Sequence, residues 1–173
     1  FDAIFEFDAS YLVATGSLPV GVPTDFYARV AEKAKTRGSR VILDASGDAL
    51  AAALEVGVFL VKPNLAELEA FAGRTVSVPD EQNALARQLV LDRKAEVVAV
   101  SLGGDGALLA TREGCLRLPA PEVKVKSAVG AGDSFVAGLT LGLAHGRPLR
   151  DAFGLGLAAG TAAVLTAGSA LCH

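Results

Sequence analysis

Ser127-Ala128-Val129-Gly130-Ala131-Gly132-Asp133-Ser134-Phe135-Val136-Ala137-Gly138 places a glycine-rich turn at the mouth of an apolar helix and gives that helix one carboxylate. Helix N-termini expose backbone N–H groups and the positive end of the helix dipole, and glycines let an anion approach the main chain closely. The turn therefore reads as a phosphate site to which Gly130, Ala131 and Gly132 lend main-chain contacts. Asp133 is out of place there, because a carboxylate repels a phosphate, unless it orients and deprotonates an incoming hydroxyl as a kinase base does. A plain strand-to-helix turn, with the aspartate as a cap, fits the same residues. A Walker A loop is excluded by the absence of Lys-Ser or Lys-Thr after the last glycine. A dinucleotide fingerprint is excluded by Phe135, which stands where a third glycine belongs.

Outward from this turn, strand-like and helix-like segments alternate, which argues for a layered α/β domain. Strands are expected over residues 11–15, 40–43, 58–61 and 97–101. The continuous Val97-Val98-Ala99-Val100 suits a parallel sheet covered on both faces. Helices are expected over 24–36, with Phe26, Val30 and Ala34 on one face and Gly38 as the stop, over 48–54, and from about Asn64. Another is expected over 80–91 with Asp80 as N-cap, and two long apolar ones over 132–145 and 149–166, whose Gly and Ala content suits close packing. Residues 108–111 and 115–118, joined by Arg112-Glu113-Gly114, read as a hairpin. No repeat, linker or low-complexity segment divides the chain, so residues 1–173 are expected to form a single domain.

At 173 residues and 51% apolar content the chain can bury a sizeable core. Its net charge of −3, from 16 basic and 19 acidic residues without clustering, argues against nucleic acid as a partner. No stretch approaches the ~18 consecutive apolar residues of a membrane span. Phe1 to Asp8 is acidic rather than basic, unlike a signal peptide, and a cytoplasmic location is expected. Cys115 and Cys172 lack metal-ligand spacing, so buried reduced thiols are expected and zinc is not. His145 and His173 have no partner motif.

With its flanks, the turn at 127–138 resembles the second signature of the ribokinase-like carbohydrate kinases, the PfkB family. Lys62-Pro63-Asn64-Leu65-Ala66-Glu67 resembles the family's Asn-x-x-Glu motif, Ser101-Leu102-Gly103-Gly104-Asp105-Gly106-Ala107 its nucleotide loop, and Gly16-Ser17-Leu18-Pro19 a sugar-side loop. Order and spacing match, so the resemblance covers nearly the whole chain. Gly16 to Pro19 and the Asp-x-Ser-Gly of Asp44 to Gly47 look most like the branch acting on sugar phosphates: 6-phosphofructokinases, 1-phosphofructokinases and tagatose-6-phosphate kinases. Gly160-Thr161-Ala162-Ala163 followed by Leu171-Cys172 tilts the reading toward the first of these.

The resemblance implies a ribokinase-like α/β/α fold with a mostly parallel central sheet. It also implies ATP-dependent phosphorylation of a sugar phosphate, with fructose 6-phosphate preferred and fructose 1-phosphate or tagatose 6-phosphate as alternatives. A non-catalytic nucleotide-binding fragment is the remaining alternative. In relatives, further strands and a β-sheet lid precede the region equivalent to Phe1. Residues 1–173 alone are therefore expected to be inactive as a sugar kinase, and the whole protein is expected to be a homodimer through that lid.

The implied roles fall on residues expected at one sheet edge, where loops after parallel strands gather. Asp133 is the base and, with Ser17, faces the sugar. Lys62, Asn64, Ser101, Gly103, Gly104, Asp105 and Gly106 hold the nucleotide, with Leu157 and Thr161 against the adenine. Asn64 and Glu67 serve Mg²⁺ directly or through water. Their spacing fits a helix capping box equally well. Lys62 reaches the nucleotide phosphates, or else is a solvated lysine at a strand end, and Leu157 and Thr161 also suit a plain core helix. A potassium site maps onto Ser127, Val129, Ala163 and Gly168, with Thr166 and Ala170 differing from the side chains expected there. Ala128 and Ala66 depart from the family pattern, the second where many relatives carry a basic residue.

Overall fold

The computed structural model describes residues 1–166. Its layering follows from strands that are apolar on both faces. In β2 (Arg40–Asp44) Val41 and Leu43 join one core and Ile42 the other. In β4 (Ala95–Ser101) Val98 and Val100 are divided in the same way from Val97 and Ala99. Side chains alternate across a strand, so such runs can be buried only between two helical layers. Helices α1 (Phe26–Thr36), α2 (Gly47–Val56), α3 (Leu65–Ala72) and α4 (Pro79–Leu91) contribute Val30, Leu54, Leu68 and Leu89 to the first core. Helices α5 (Ala131–Ala144) and α6 (Leu149–Ala163) contribute Phe135, Leu139 and Phe153 to the second.

The sheet completes this α/β/α sandwich with β1 (Tyr11–Thr15), β3 (Val58–Val61), β5 (Ala107–Ala110) and β6 (Cys115–Leu118), and its strand order is the chain order, β1 to β6. The pairs from β1 to β4 are parallel, and β5 and β6 add antiparallel at the far side. The mostly parallel sheet expected from the sequence is thus observed, together with the hairpin.

Three local expectations are corrected. Asp80 is not the cap of its helix: Pro79 is the first helical residue and Val78 the cap, because the fixed φ of proline suits that position and its missing N–H is no loss there. The last helix ends at Ala163 rather than Thr166, since the Thr166 N–H and hydroxyl both turn back onto the Ala163 carbonyl. Cys115 is exposed, not buried, because it starts the edge strand β6. Cys172 lies outside the described residues.

The α5–α6 contact depends on missing side chains. A Cβ at Gly142 would lie 2.7 Å from Ala152 Cα, and one at Gly138 2.8 Å from Ala159 Cβ. At Gly160 it would lie 3.0 Å from the Ala131 carbonyl, so α6 abuts the first turn of α5 and fixes where that turn sits. Among the described residues no helix is long and apolar enough to cross a membrane.

Candidate active site

Parallel strands β1 to β4 end on one edge, and the chain leaves each of them through a segment singled out by sequence. Main-chain bonds stitch these exits together: Gly16 N–H to Asp44 O at 2.9 Å, Lys62 N–H to Leu43 O at 2.9 Å, and Ser101 N–H to Pro63 O at 3.0 Å. Tyr27 O–H donates to the carbonyls of Thr15 and Gly16 at 3.2 and 3.0 Å, which secures the loop after β1. Ser17 follows, exposed, on the same edge.

Gly130 opens α5 at φ 77°, a left-handed conformation that glycine adopts without strain. Two N–H groups of this turn are consumed inside it: Val129 donates to Ser127 Oγ at 3.2 Å and Ala131 to Ala128 O at 3.3 Å. The N–H groups of Gly130, Gly132 and Asp133 donate to no acceptor among the described residues. Ala131 therefore drops out of the expected set and Asp133 joins it, because the Ala131 N–H is spent on the Ala128 carbonyl. Asp133 lies in the first turn, and its Oδ1 accepts the Thr15 hydroxyl at 3.3 Å.

Lys62 is not a solvated lysine. Its side chain is 6% exposed, and its Nζ lies 3.2 Å from Asp44 Oδ1 at the end of the neighbouring strand. A Cβ built on Gly132 would meet Lys62 Nζ at 3.5 Å and Asp44 Oδ2 at 3.7 Å, so the pair lies directly against the turn. Burial pushes the Asp44 carboxyl above its ordinary value. The Lys62 ammonium opposes that shift, and the negative charges of Glu67 and Asp133 add to it. Four charged groups therefore share one corner of the sheet edge. Asp44 carries no site role in the sequence reading, although its place at a strand end beside the motifs was a usable signal.

Asn64 and Glu67 form a complete capping box. Asn64 Oδ1 accepts the Glu67 N–H at 2.8 Å, and Glu67 Oε2 accepts the Asn64 N–H at 2.8 Å. Among the described residues the other carboxylate oxygen, Glu67 Oε1, has no partner. Among the described residues no group of three or more His, Cys, Asp or Glu forms a ready metal cage. At the mapped potassium position the Ala163 carbonyl accepts the Thr166 N–H at 3.2 Å and hydroxyl at 2.9 Å. Gly168 lies outside the described residues.

A cleft of about 610 Å³ opens beside the turn. Ser101, Gly103, Gly104 and Gly106 line one side, Ala131 and Gly132 its floor, and Leu157 and Thr161 the α6 wall. Asp105, Lys62 and Asn64 do not line it. Gly106 is required where it stands: at φ 95° an added Cβ would collide with the Leu118 carbonyl. Thr161 O–H donates to the Leu157 carbonyl at 2.8 Å, so within the cleft it can only accept. The wall from Ala120 to Val125 was missed by sequence reading, as it is a segment without regular structure or motif.

Residues 2–173 match the family model described as pfkB family carbohydrate kinase. The chain is 44% identical over 162 residues to the ATP-dependent 6-phosphofructokinase isozyme 2 of Escherichia coli (strain K12), covering 93% of this chain and 52% of that protein. It is 41% identical over 155 residues to the 1-phosphofructokinase of Bacillus subtilis (strain 168), covering 90% of this chain and 51% of that protein. The crystal structure of phosphofructokinase-2 from Escherichia coli in complex with potassium superposes with a TM-score of 0.93 at 42% identity, over 99% of this chain and 56% of that one. The chain thus spans about half the length of the curated relatives it matches.

Proposed function

The chain belongs to the pfkB family of carbohydrate kinases, and from that premise we propose that it is the nucleotide-binding and catalytic part of an enzyme that transfers the γ-phosphoryl of ATP to a sugar-phosphate hydroxyl, fructose 6-phosphate before fructose 1-phosphate or tagatose 6-phosphate. One observation carries this reading: Asp133 stands beside the open N–H groups of Gly130 and Gly132, with the Lys62 ammonium against the same turn.

ATP fits the cleft with its adenine between the Leu157 and Thr161 wall and the segment 120–125, and with its phosphates toward Gly130, Gly132 and Lys62. The substrate hydroxyl oxygen attacks the γ-phosphorus, the bond to the β–γ bridging oxygen breaks, and the hydroxyl proton passes to Asp133. The open N–H groups and the Lys62 ammonium meet the charge on the transferred group. Thr15 holds one Asp133 oxygen, which leaves Oδ2 for the hydroxyl. Ser17, on the same edge, faces the sugar.

Mg²⁺ fits Glu67 Oε1 in a hydrated form, since this ion takes one or two carboxylates and keeps waters or phosphates for its other positions. It would supply charge neutralisation at the phosphates. Asn64, committed to the cap, positions Glu67 rather than the ion. No step is assigned to a potassium ion.

The test is ADP release from ATP with each of the three sugar phosphates in turn, alongside equilibrium binding of ATP to this chain. Faster turnover with fructose 6-phosphate than with the other two supports the reading. ATP binding without turnover by residues 1–173 agrees with sugar contacts lying elsewhere in the protein. No ATP binding at all rejects the site.

A further inference from the structure

The Asp44–Lys62 pair leaves one half-buried charge without a task in the proposed reaction, since Lys62 is assigned to the phosphates and, among the described residues, the Asp44 carboxylate pairs only with Lys62. We propose that Asp44 is a positioning residue, which holds the Lys62 ammonium against the open first turn of α5 so that it receives the nucleotide phosphates already aimed. The inference rests on the nucleotide reading above.

Lys62 Nζ is 3.2 Å from Asp44 Oδ1, and their side chains are 6% and 17% exposed. Asp44 ends β2 and Lys62 directly follows β3, its parallel neighbour, so the sheet sets the spacing of their main chains. The clearances at Gly132, 3.5 Å to Nζ and 3.7 Å to Oδ2, place the pair under the turn whose Gly130 and Gly132 N–H groups are open. An ammonium has three donors. Asp44 is the only acceptor or anion recorded for it among the described residues, which leaves donors for a phosphate. A lysine otherwise rotates about four side-chain bonds, and a fixed one loses less freedom when the ligand arrives.

Plain electrostatics argues the other way and makes the inference testable. Asp44 lies near Glu67 and Asp133, and every carboxylate in that corner repels a phosphate. If Asp44 were only one more negative charge, removing it would tighten ATP binding. If it aims Lys62, removing it weakens binding.

The experiment measures ATP affinity of the chain, with EDTA and then with Mg²⁺, for the unaltered protein, Asp44→Asn, Lys62→Met and the double variant. Melting curves confirm that each is folded at the working temperature. The expected result is a loss of about tenfold in Asp44→Asn, the scale of one hydrogen bond to a charged group. The loss should appear with and without Mg²⁺, and Asp44→Asn should add little to Lys62→Met. A loss seen only with Mg²⁺ makes Asp44 a metal ligand and overturns the inference, as does unchanged or tighter binding. Additive losses overturn it as well, because the two residues then act separately. Should Asp44→Asn fail to fold, Asp44→Glu keeps the charge and displaces it by one methylene. Weaker ATP binding is expected there, and unchanged affinity overturns the assignment. Absence of ATP binding by the unaltered chain rejects the nucleotide site itself and this inference with it.

Discussion

Thr15 Oγ1 donates to Asp133 Oδ1 across 3.3 Å and so ties the end of the first strand to the first turn of α5. Thr15 belongs to the sheet and Asp133 to the helix that packs on it, and this bond sets the carboxylate relative to the strand-end loops. Asp133→Asn keeps an acceptor for Thr15 while removing the base. It is expected to leave ATP affinity in place and to lower turnover of the active enzyme by ~10²- to 10⁴-fold. Steady-state kinetics with the preferred sugar phosphate checks this, and near-normal turnover rejects Asp133 as the base.

Glu67 has a structural and a proposed functional task, and two substitutions separate them. Glu67→Ala breaks the capping box, at a cost of about 1 kcal/mol, which is roughly 2–4 °C in melting temperature for a chain of this size. Glu67→Gln keeps an acceptor for the Asn64 N–H but loses the charge. It should melt close to the unaltered protein and need more Mg²⁺ for ATP binding. A lower melting temperature with an unchanged Mg²⁺ requirement would leave only the cap.

Gly132→Ala tests the cradle itself. The nearest atoms to the new methyl lie at 3.5 Å or beyond, which is ordinary contact, so folding should be unaffected. The methyl nevertheless occupies the face toward Lys62 that a phosphate would use. ATP affinity should fall by about tenfold or more, as read by calorimetric titration, with an unchanged unfolding curve.

Gly142→Ala should do the opposite, weakening the fold at a distance from the site. Alanine gains up to about 1 kcal/mol of helix propensity. The new Cβ meets Ala152 Cα at 2.7 Å, and overpacking of that kind costs about 1–3 kcal/mol. The urea midpoint should drop. A rise would mean that α5 and α6 separate freely.

Cys115 reports on pH. Although the residue is exposed, partial desolvation of its thiol raises it above the ordinary value against the pull of Arg87 and Arg117, so the thiolate forms later as pH rises. In a Cys172→Ser background, native-state alkylation by iodoacetamide should reach half its maximal rate at a higher pH than in the urea-unfolded chain. A midpoint equal to or below that of the unfolded chain contradicts the direction of the shift.

Much of this architecture was legible because its signals are local. The unbroken Val97-Val98-Ala99-Val100 announces a strand buried on both faces, and Asp133 stands out as the lone acid in an apolar helix start. The Asp44–Lys62 pair was not legible, because it depends on how two adjacent strands are registered in the sheet. Which N–H groups the turn leaves open depends on the torsion of Gly130 and the rotamer of Ser127, and neither is written in residue types. Cys115 was misread as buried because edge and centre strands look alike when only four residues are seen.

Because the six strands lie side by side in the order in which they occur in the chain, each can dock on its predecessor as soon as it exists. Contacts between sequence neighbours close small loops, which favours fast folding and assembly in step with synthesis. These six strands are therefore all in place by Leu118, before any residue of the turn at 127–138 has been made. A nascent chain thus holds these strands, with Lys62 and the glycine loop of 103–106 at their ends, before Asp133 and the open N–H groups of Gly130 and Gly132 are made.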